Sequence, residues 1–264
     1  MKVDFRRLQD LDEVDWRLAS YGKTVGTLRI LELVESLRGP GQNMLDLGCG
    51  GGGLTQLLDD YTGADRSPEA IATARRLARG VNVHFLQADI SDVPLPDAVA
   101  DLVISVHLLE HVANPEAALR EIHRLTRRRA MVVMPCRDLL PFFHDPINWL
   151  RLRLGVQPRP TGAFGYGHIS IRTRASWLDL MERTGFRVIA VLPYDTSLIS
   201  HVEFFLFSLF TSKMAYEDLP IRTLDRRVYR WIQGLHRMAA RIDIDMPTSF
   251  IQCFVLDKVQ ESGG

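Results

Sequence analysis

The run Met44-Leu45-Asp46-Leu47-Gly48-Cys49-Gly50-Gly51-Gly52-Gly53 constrains this chain more than any other. Three apolar residues around one aspartate make a short buried strand, and the glycines that follow admit left-handed backbone and close approach of a ligand to the main chain. The pattern predicts a strand that turns sharply into a helix near Leu54 to Leu58, with a binding site at the turn. Further apolar runs suit strands at Tyr61 to Asp65, Val81 to Leu86, Asp101 to Val106, Ala130 to Met134, Phe186 to Leu192 and Phe250 to Leu256.

Helices are expected between them. Ile30, Leu33, Val34 and Leu37 recur at helical spacing. Ser67-Pro68-Glu69 and Asn114-Pro115-Glu116 each place a capping side chain, a first-turn proline and an acid at a helix start. Thr173 to Thr184 is a helix stopped by Gly185. Strands alternating with helices predict an α/β fold: a doubly wound, mostly parallel, seven-stranded Rossmann-like sheet with helical insertions near the C-terminus. Five stretches follow: an N-terminal helical segment (1–42), a cofactor-binding α/β half (43–136), a lid-like insertion with a completing helix and strand (137–194), a helical insertion (195–248), and a final strand and tail (249–264).

Ligands of such sheets sit beyond the carboxyl ends of the strands. Gly48, Gly50 and Gly53 satisfy G-x-G-x-x-G, so a nicotinamide-dependent oxidoreductase is one reading. The neighbouring acids oppose it. Asp46 would repel a pyrophosphate but suits a cationic amino group. Asp65 can accept both hydroxyls of a ribose or cap a helix, and Asp89 can accept from an adenine amino group or cap its own turn. Three acids at three successive strand ends describe a ligand with an amino group, a ribose and an adenine, and no phosphate.

These residues resemble a class I S-adenosylmethionine-dependent methyltransferase of the small-molecule type 11 group. Asp46 to Gly52 resembles its first motif, Asp65 its ribose-binding acid, and Ala88-Asp89-Ile90 its adenine-contacting segment. Leu109-Glu110-His111-Val112 with Asn114-Pro115, Gly167-His168-Ile169 and Thr184-Gly185-Phe186 resemble later landmarks. The resemblance covers about residues 40 to 194 and the last strand. It departs where Arg127-Arg128-Arg129 stands in place of a Gly-Gly pair. It implies S-adenosylmethionine as cofactor, held by Asp46, Gly48, Gly50, Gly52, Asp65, Arg66, Ala88, Asp89, Ile90 and Val106. The implied reaction moves a methyl group to a small acceptor, a hydroxyl of a hydrophobic or glycosylated metabolite first, with carbon or nitrogen of a lipid-like or quinone-type acceptor as the alternative. A scaffold that binds S-adenosylmethionine without turnover is the non-enzymatic alternative.

Methyl transfer from a sulfonium needs alignment, exclusion of water and, for a hydroxyl, a proton acceptor. His111 is the first candidate base, with His107 or Glu110 orienting it. On a helix all three would share a face. Bracing of the next helix and metal ligation by His107, Glu110, His111 and His168 are the other roles open to the cluster, and no metal is assigned. His168, Phe143 and Trp149 are acceptor-side candidates. His123 is placed on the exposed side of its helix.

Lys and Arg number 32, as do Asp and Glu, and this zero net charge disfavours nucleic acid as a partner. Three separated cysteines make no disulfide framework. Without an apolar leader or a twenty-residue apolar span, the chain reads as cytoplasmic. The apolar run Phe204 to Phe210 and the basic, amphipathic stretch from Arg226 to Arg241 suit a capping or homodimer-forming element, or peripheral membrane contact.

Overall fold

A computed structural model describes residues 25–56, 58–78, 80–140, 142, 145–157, 168–194 and 249–259. The order is α1 (Val25–Leu37), β1 (Met44–Leu47), a 3-10 turn (Gly53–Gln56), β2 (Tyr61–Asp65), α2 (Pro68–Leu77), β3 (Val83–Gln87), β4 (Ala100–Val106), a 3-10 turn (Leu109–His111), α3 (Pro115–Leu125), β5 (Thr126–Pro135), a 3-10 turn (Arg137–Leu139), α4 (Pro146–Arg153), α5 (Arg174–Arg183), β6 (Phe186–Pro193) and β7 (Ile251–Lys258). The seven strands form one sheet ordered β3-β2-β1-β4-β5-β7-β6. β1 to β5 pair in parallel, and β7 runs antiparallel to both β5 and β6.

Both faces of the sheet are covered. Alternation along the strands sends Leu45, Val103, Val132 and Met134 to one side, against Leu119 and Ile122 of α3 and Trp177 and Leu180 of α5. Met44, Leu102, Ile104 and Val133 face the other side, against Ile30, Leu33 and Val34 of α1. Trp177 is fully buried, lies under the Arg172 guanidinium at 5.6 Å, and finds no hydrogen-bond partner for Nε1 among the described residues. Trp177→Ala is expected to cost about 3–5 kcal/mol, because the cavity adds to the lost burial. A urea denaturation midpoint lowered accordingly is the check.

The helix starts follow the sequence chemistry. Ser67 Oγ accepts the amide of Ala70 at 3.1 Å and Asn114 Oδ1 that of Ala117 at 3.1 Å, each with proline in the first turn. Four local expectations are corrected. In the stretch Leu54 to Leu58, where a helix was expected, the described residues hold the 3-10 turn Gly53–Gln56. Strand β3 starts at Val83, and Val81 is 92% exposed in the turn before it. His123 is half-buried with its ring edge-on to Phe186 at 5.0 Å. Arg127 to Arg129 extend β5 at the edge away from the glycine run, where Arg127 meets Asp101 at 3.0 Å and Arg129 meets Asp257 at 2.8 Å. The 195–248 insertion, with its apolar run and basic stretch, lies outside the described residues, as do Phe143, His144, His201 and His236.

Candidate functional site

The parallel pairing brings the carboxyl ends of β1, β2, β3, β4 and β5 to one edge, and the acids and histidines singled out from the sequence gather there. The glycine run leaves β1 through left-handed backbone at Gly48 (φ 80°), Gly50 (φ 51°) and Gly52 (φ 74°). The amides of Gly48 and Cys49 both donate to the Ala64 carbonyl, at 2.8 and 3.1 Å, which moors the loop to β2. A side chain at Gly48 would strike Leu108 at 2.8 Å, whereas at Gly50 it would meet nothing within 4 Å. The loop therefore packs tightly on one side and borders open space on the other.

Asp46 is 4% exposed. The Tyr61 hydroxyl donates to its Oδ2 at 2.5 Å, and Oδ1 finds no hydrogen-bond partner among the described residues. Burial is the main force that lifts its carboxyl to about 7; the Tyr61 hydrogen bond works against this and the Asp65 charge adds to it. Sequence reasoning missed Tyr61. Its signal is the Tyr61-Thr62-Gly63 spacing: Gly63 stands opposite Asp46 in the β1–β2 register, and a Cβ there would meet Tyr61 Cε1 at 2.8 Å. The glycine makes the room through which the ring reaches the acid.

Asp65, at the end of β2, is half-buried. Its Oδ2 accepts the Gly50 amide at 2.9 Å and its Oδ1 the Ser67 amide at 2.9 Å, so it ties the glycine loop to the start of α2. Ala88 donates to the Asp65 carbonyl at 3.0 Å. Asp89 is exposed, and its Oδ1 accepts both the amide and the hydroxyl of Ser91 at 2.9 and 2.6 Å, which holds its carboxyl below the usual range. The turn-capping role weighed for Asp89 is thus present. Ala88 and Ile90 pack on the main core, Arg66 is exposed, and Val106 is half-buried at the end of β4.

The second half of the site follows β4. His107 takes a left-handed backbone (φ 54°), unusual for a non-glycine residue, so it does not share a helix with Glu110 and His111 as the sequence suggested. Its Nδ1 meets Glu110 Oε1 at 3.0 Å, and its ring lies edge-on to Tyr194. Glu110 is 0% exposed, and its Oε2 has no hydrogen-bond partner among the described residues. Burial works to raise its carboxyl, but the hydrogen bond and charge of His107 outweigh it and hold the group below its usual range.

The Glu110 carbonyl accepts the amides of Ile169 and Ser170, both at 2.9 Å, and Ser170 Oγ donates to the Val112 carbonyl at 2.6 Å. These bonds fasten the stretch carrying His168 onto the 3-10 turn. The His111 and His168 rings stand edge to face with centroids 4.8 Å apart. Burial is the first cause that pushes the His168 imidazole down to about 4; the Glu110 charge opposes it. Trp149 packs on a small satellite core with Leu140 and Phe250, its ring under Arg153. A depression bordered by Arg38, Asn43, Asp60, Asn82 and His84 opens at the amino ends of the strands, the edge away from this site.

One half of the site thus offers a flexible-backbone loop, open space and an orphaned buried carboxylate oxygen. Such an oxygen is costly until a cation or donor reaches it, so the residues present fit a ligand with a cationic amino group and a polar, phosphate-free body. The other half offers paired imidazoles braced by a buried carboxylate.

Residues 45–134 match the family described as Methyltransferase domain. The chain is 37% identical over 112 residues to ajmaline N-methyltransferase from Rauvolfia serpentina, covering 38% of each chain. It is 32% identical over 111 residues to a ubiquinone biosynthesis O-methyltransferase from Pseudomonas syringae pv. tomato, covering 39% of this chain and 47% of that protein. The chain spans about half or less of the curated relatives it matches. Among solved structures, geranyl diphosphate C-methyltransferase from Streptomyces coelicolor A3(2), in complex with Mg2+, geranyl diphosphate and S-adenosyl-L-homocysteine, aligns with a TM-score of 0.56 at 14% identity, covering 98% of this chain and 87% of that one. That likeness shows the fold. No helix among the described residues is long and apolar enough to cross a membrane.

Proposed function

We propose that the chain, of which residues 45–134 match the family described as Methyltransferase domain, is a class I S-adenosylmethionine-dependent methyltransferase that transfers a methyl group from S-adenosylmethionine to a small-molecule acceptor, a hydroxyl of a hydrophobic or glycosylated metabolite. The orphaned, buried Oδ1 of Asp46 carries this reading: a carboxylate oxygen out of water at the lip of a glycine loop suits the cationic amino group of a methionine moiety. Gly48, Gly50 and Gly52 bring the backbone close to that moiety. Asp65 offers its remaining lone pairs to the ribose hydroxyls, and Asp89, with Ala88 and Ile90, borders the adenine. Arg66 and Val106 flank the two ends of this crevice.

S-adenosylmethionine supplies an electrophilic methyl group on a sulfonium, and transfer breaks the carbon–sulfur bond as a carbon–oxygen bond forms. The protein aligns the acceptor oxygen and takes its proton. His111 is in position for the proton, half-buried at the carboxyl edge of β4. His107 serves through Glu110, whose carboxylate it holds, and His168 closes the acceptor side against His111.

The test is transfer of a labelled methyl group to a panel of hydroxyl, amine and activated-carbon acceptors, with S-adenosylhomocysteine quantified by mass spectrometry. With a hydroxyl acceptor, His111→Ala is expected to lower kcat by about 10²–10⁴-fold while leaving cofactor affinity unchanged. Binding of S-adenosylmethionine with no product from any acceptor class or lysate fraction would make the protein a binding scaffold instead.

A further inference from the structure

We propose that Tyr61 is a positioning residue for cofactor recognition: its hydroxyl holds Oδ2 of Asp46, leaves Oδ1 to receive the cofactor's amino group, and favours the charged form of the acid. The proposal rests on the reading of Asp46 as the acceptor of that amino group.

Packing around Tyr61 does not call for a hydroxyl. The side chain is 1% exposed, in the core shared with Ile30, Leu33 and Val34 of α1, and its ring lies tilted against Phe85 at 6.0 Å. A phenylalanine would fill the same volume and bury no polar atom. The phenol instead donates to Asp46 Oδ2 at 2.5 Å. Room for the pair comes from Gly63, in register with Asp46, where a Cβ would meet Tyr61 Cε1 and Cys49 Sγ, each at 2.8 Å.

That bond divides the carboxylate. Oδ2 is taken, and Oδ1 has no hydrogen-bond partner among the described residues. A carboxylate pinned through one oxygen no longer turns freely, so the other oxygen stands in one place before the ligand arrives, and less order has to be imposed on binding.

The same bond bears on charge. Burial and the neighbouring Asp65 of β2 both oppose ionisation of Asp46. The Cys49 thiol in the glycine loop is itself pushed up by burial and stays neutral. From β4 the residue in register is Ile104, and α1 turns Ile30, Leu33 and Val34 to this face. Among the described residues, the Tyr61 hydrogen bond is the influence that favours the carboxylate. The phenol remains a donor, because burial and the Asp46 charge push its own ionisation well above the ordinary tyrosine range.

The test is calorimetry of the full chain and Tyr61→Phe between about pH 6 and pH 9. Two probes are used: S-adenosylhomocysteine, which carries the amino group, and 5′-deoxy-5′-methylthioadenosine, which has the same nucleoside without it. Losing a hydrogen bond to a charged group is expected to move the acidic limb of S-adenosylhomocysteine affinity up by about 1–2 pH units. At pH 7 the variant should bind this probe about 5–50-fold more weakly, and the gap should narrow toward pH 9. Methylthioadenosine affinity should be unchanged. In the ligand-free chain, the fall in stability that ends near pH 7 should run on about 1–2 units further in Tyr61→Phe. Thermal denaturation confirms that the variant is folded. Phe85→Leu, which disturbs the packing and keeps the hydroxyl, should lower Tm and leave the limb in place. An unmoved limb in Tyr61→Phe, or methylthioadenosine weakened equally, overturns the proposal alone. No binding of S-adenosylhomocysteine by the unaltered chain overturns the cofactor reading, and the proposal with it.

Discussion

Asp46→Asn is expected to weaken S-adenosylmethionine binding by about 10–100-fold at pH 8, the value of one charge-assisted hydrogen bond, and to stabilise the ligand-free chain at the same pH. Burial lifts this carboxyl from 3.8 to about 7. A group whose folded pKa is raised helps folding most when protonated, below about pH 4 here. That help is lost as pH rises through 7. A rise of about three pH units corresponds to about 4 kcal/mol, an upper figure for what the uncharged asparagine returns at pH 8. Between pH 4 and 7 the unaltered chain should lose stability that Asp46→Asn keeps, read by thermal or urea denaturation across pH.

Binding should show the reverse slope. An amino cation against Asp46 favours the carboxylate, so binding below pH 7 expels a proton from it. The affinity of the unaltered chain should fall about tenfold from pH 8 to pH 6, and Asp46→Asn should abolish that dependence. Calorimetry in buffers of different ionisation enthalpy would count the proton directly. An affinity with no slope in the unaltered chain would place the amino group elsewhere.

Gly48→Ala should act on both halves of the site through one atom. At φ 80° an L-residue costs about 1–2 kcal/mol, and the new Cβ would meet both terminal carbons of Leu108 at 2.8 and 2.9 Å. Leu108 sits between His107 and the 3-10 turn that carries Glu110 and His111, so relieving the clash displaces the acceptor side as well as the glycine loop. The expected loss is about 2–4 kcal/mol, with a Tm lowered by roughly 5–15 °C and weaker cofactor binding. Gly50→Ala is the matched control for backbone strain, since its Cβ meets nothing within 4 Å.

Much of this site was legible because its chemistry is local. Asp46, Asp65 and Asp89 each end a short apolar run, and a parallel sheet puts all such ends on one edge. The Ser67-Pro68-Glu69 and Asn114-Pro115-Glu116 starts were read correctly because capping is decided within four residues. What was not legible depends on contacts between distant strands. Tyr61 reaches Asp46 only because the β1–β2 register places Gly63 beside it. The left-handed turn at His107, which separates it from the Glu110–His111 turn, has no mark in a sequence that reads equally well as the start of a helix. His123 looked solvent-facing by helical spacing and is half-covered because Gly185 and Phe186 return beside it. The antiparallel direction of β7 is likewise set by where the chain re-enters the sheet, between β5 and β6.

That re-entry orders events during biosynthesis. β6 precedes β7 in the chain by a stretch of nearly sixty residues, yet it touches the sheet only through β7. At ribosomal rates of about 5–20 residues per second, several seconds pass in which β5 has an unpaired flank and β6 has no strand partner. The backbone edge of β5 from Arg129 to Pro135, destined to pair with β7, stays unpaired for that interval. A nascent chain stalled before Ile251 is therefore expected to recruit chaperones or aggregate, and release of the last strand to end that exposure in one cooperative step.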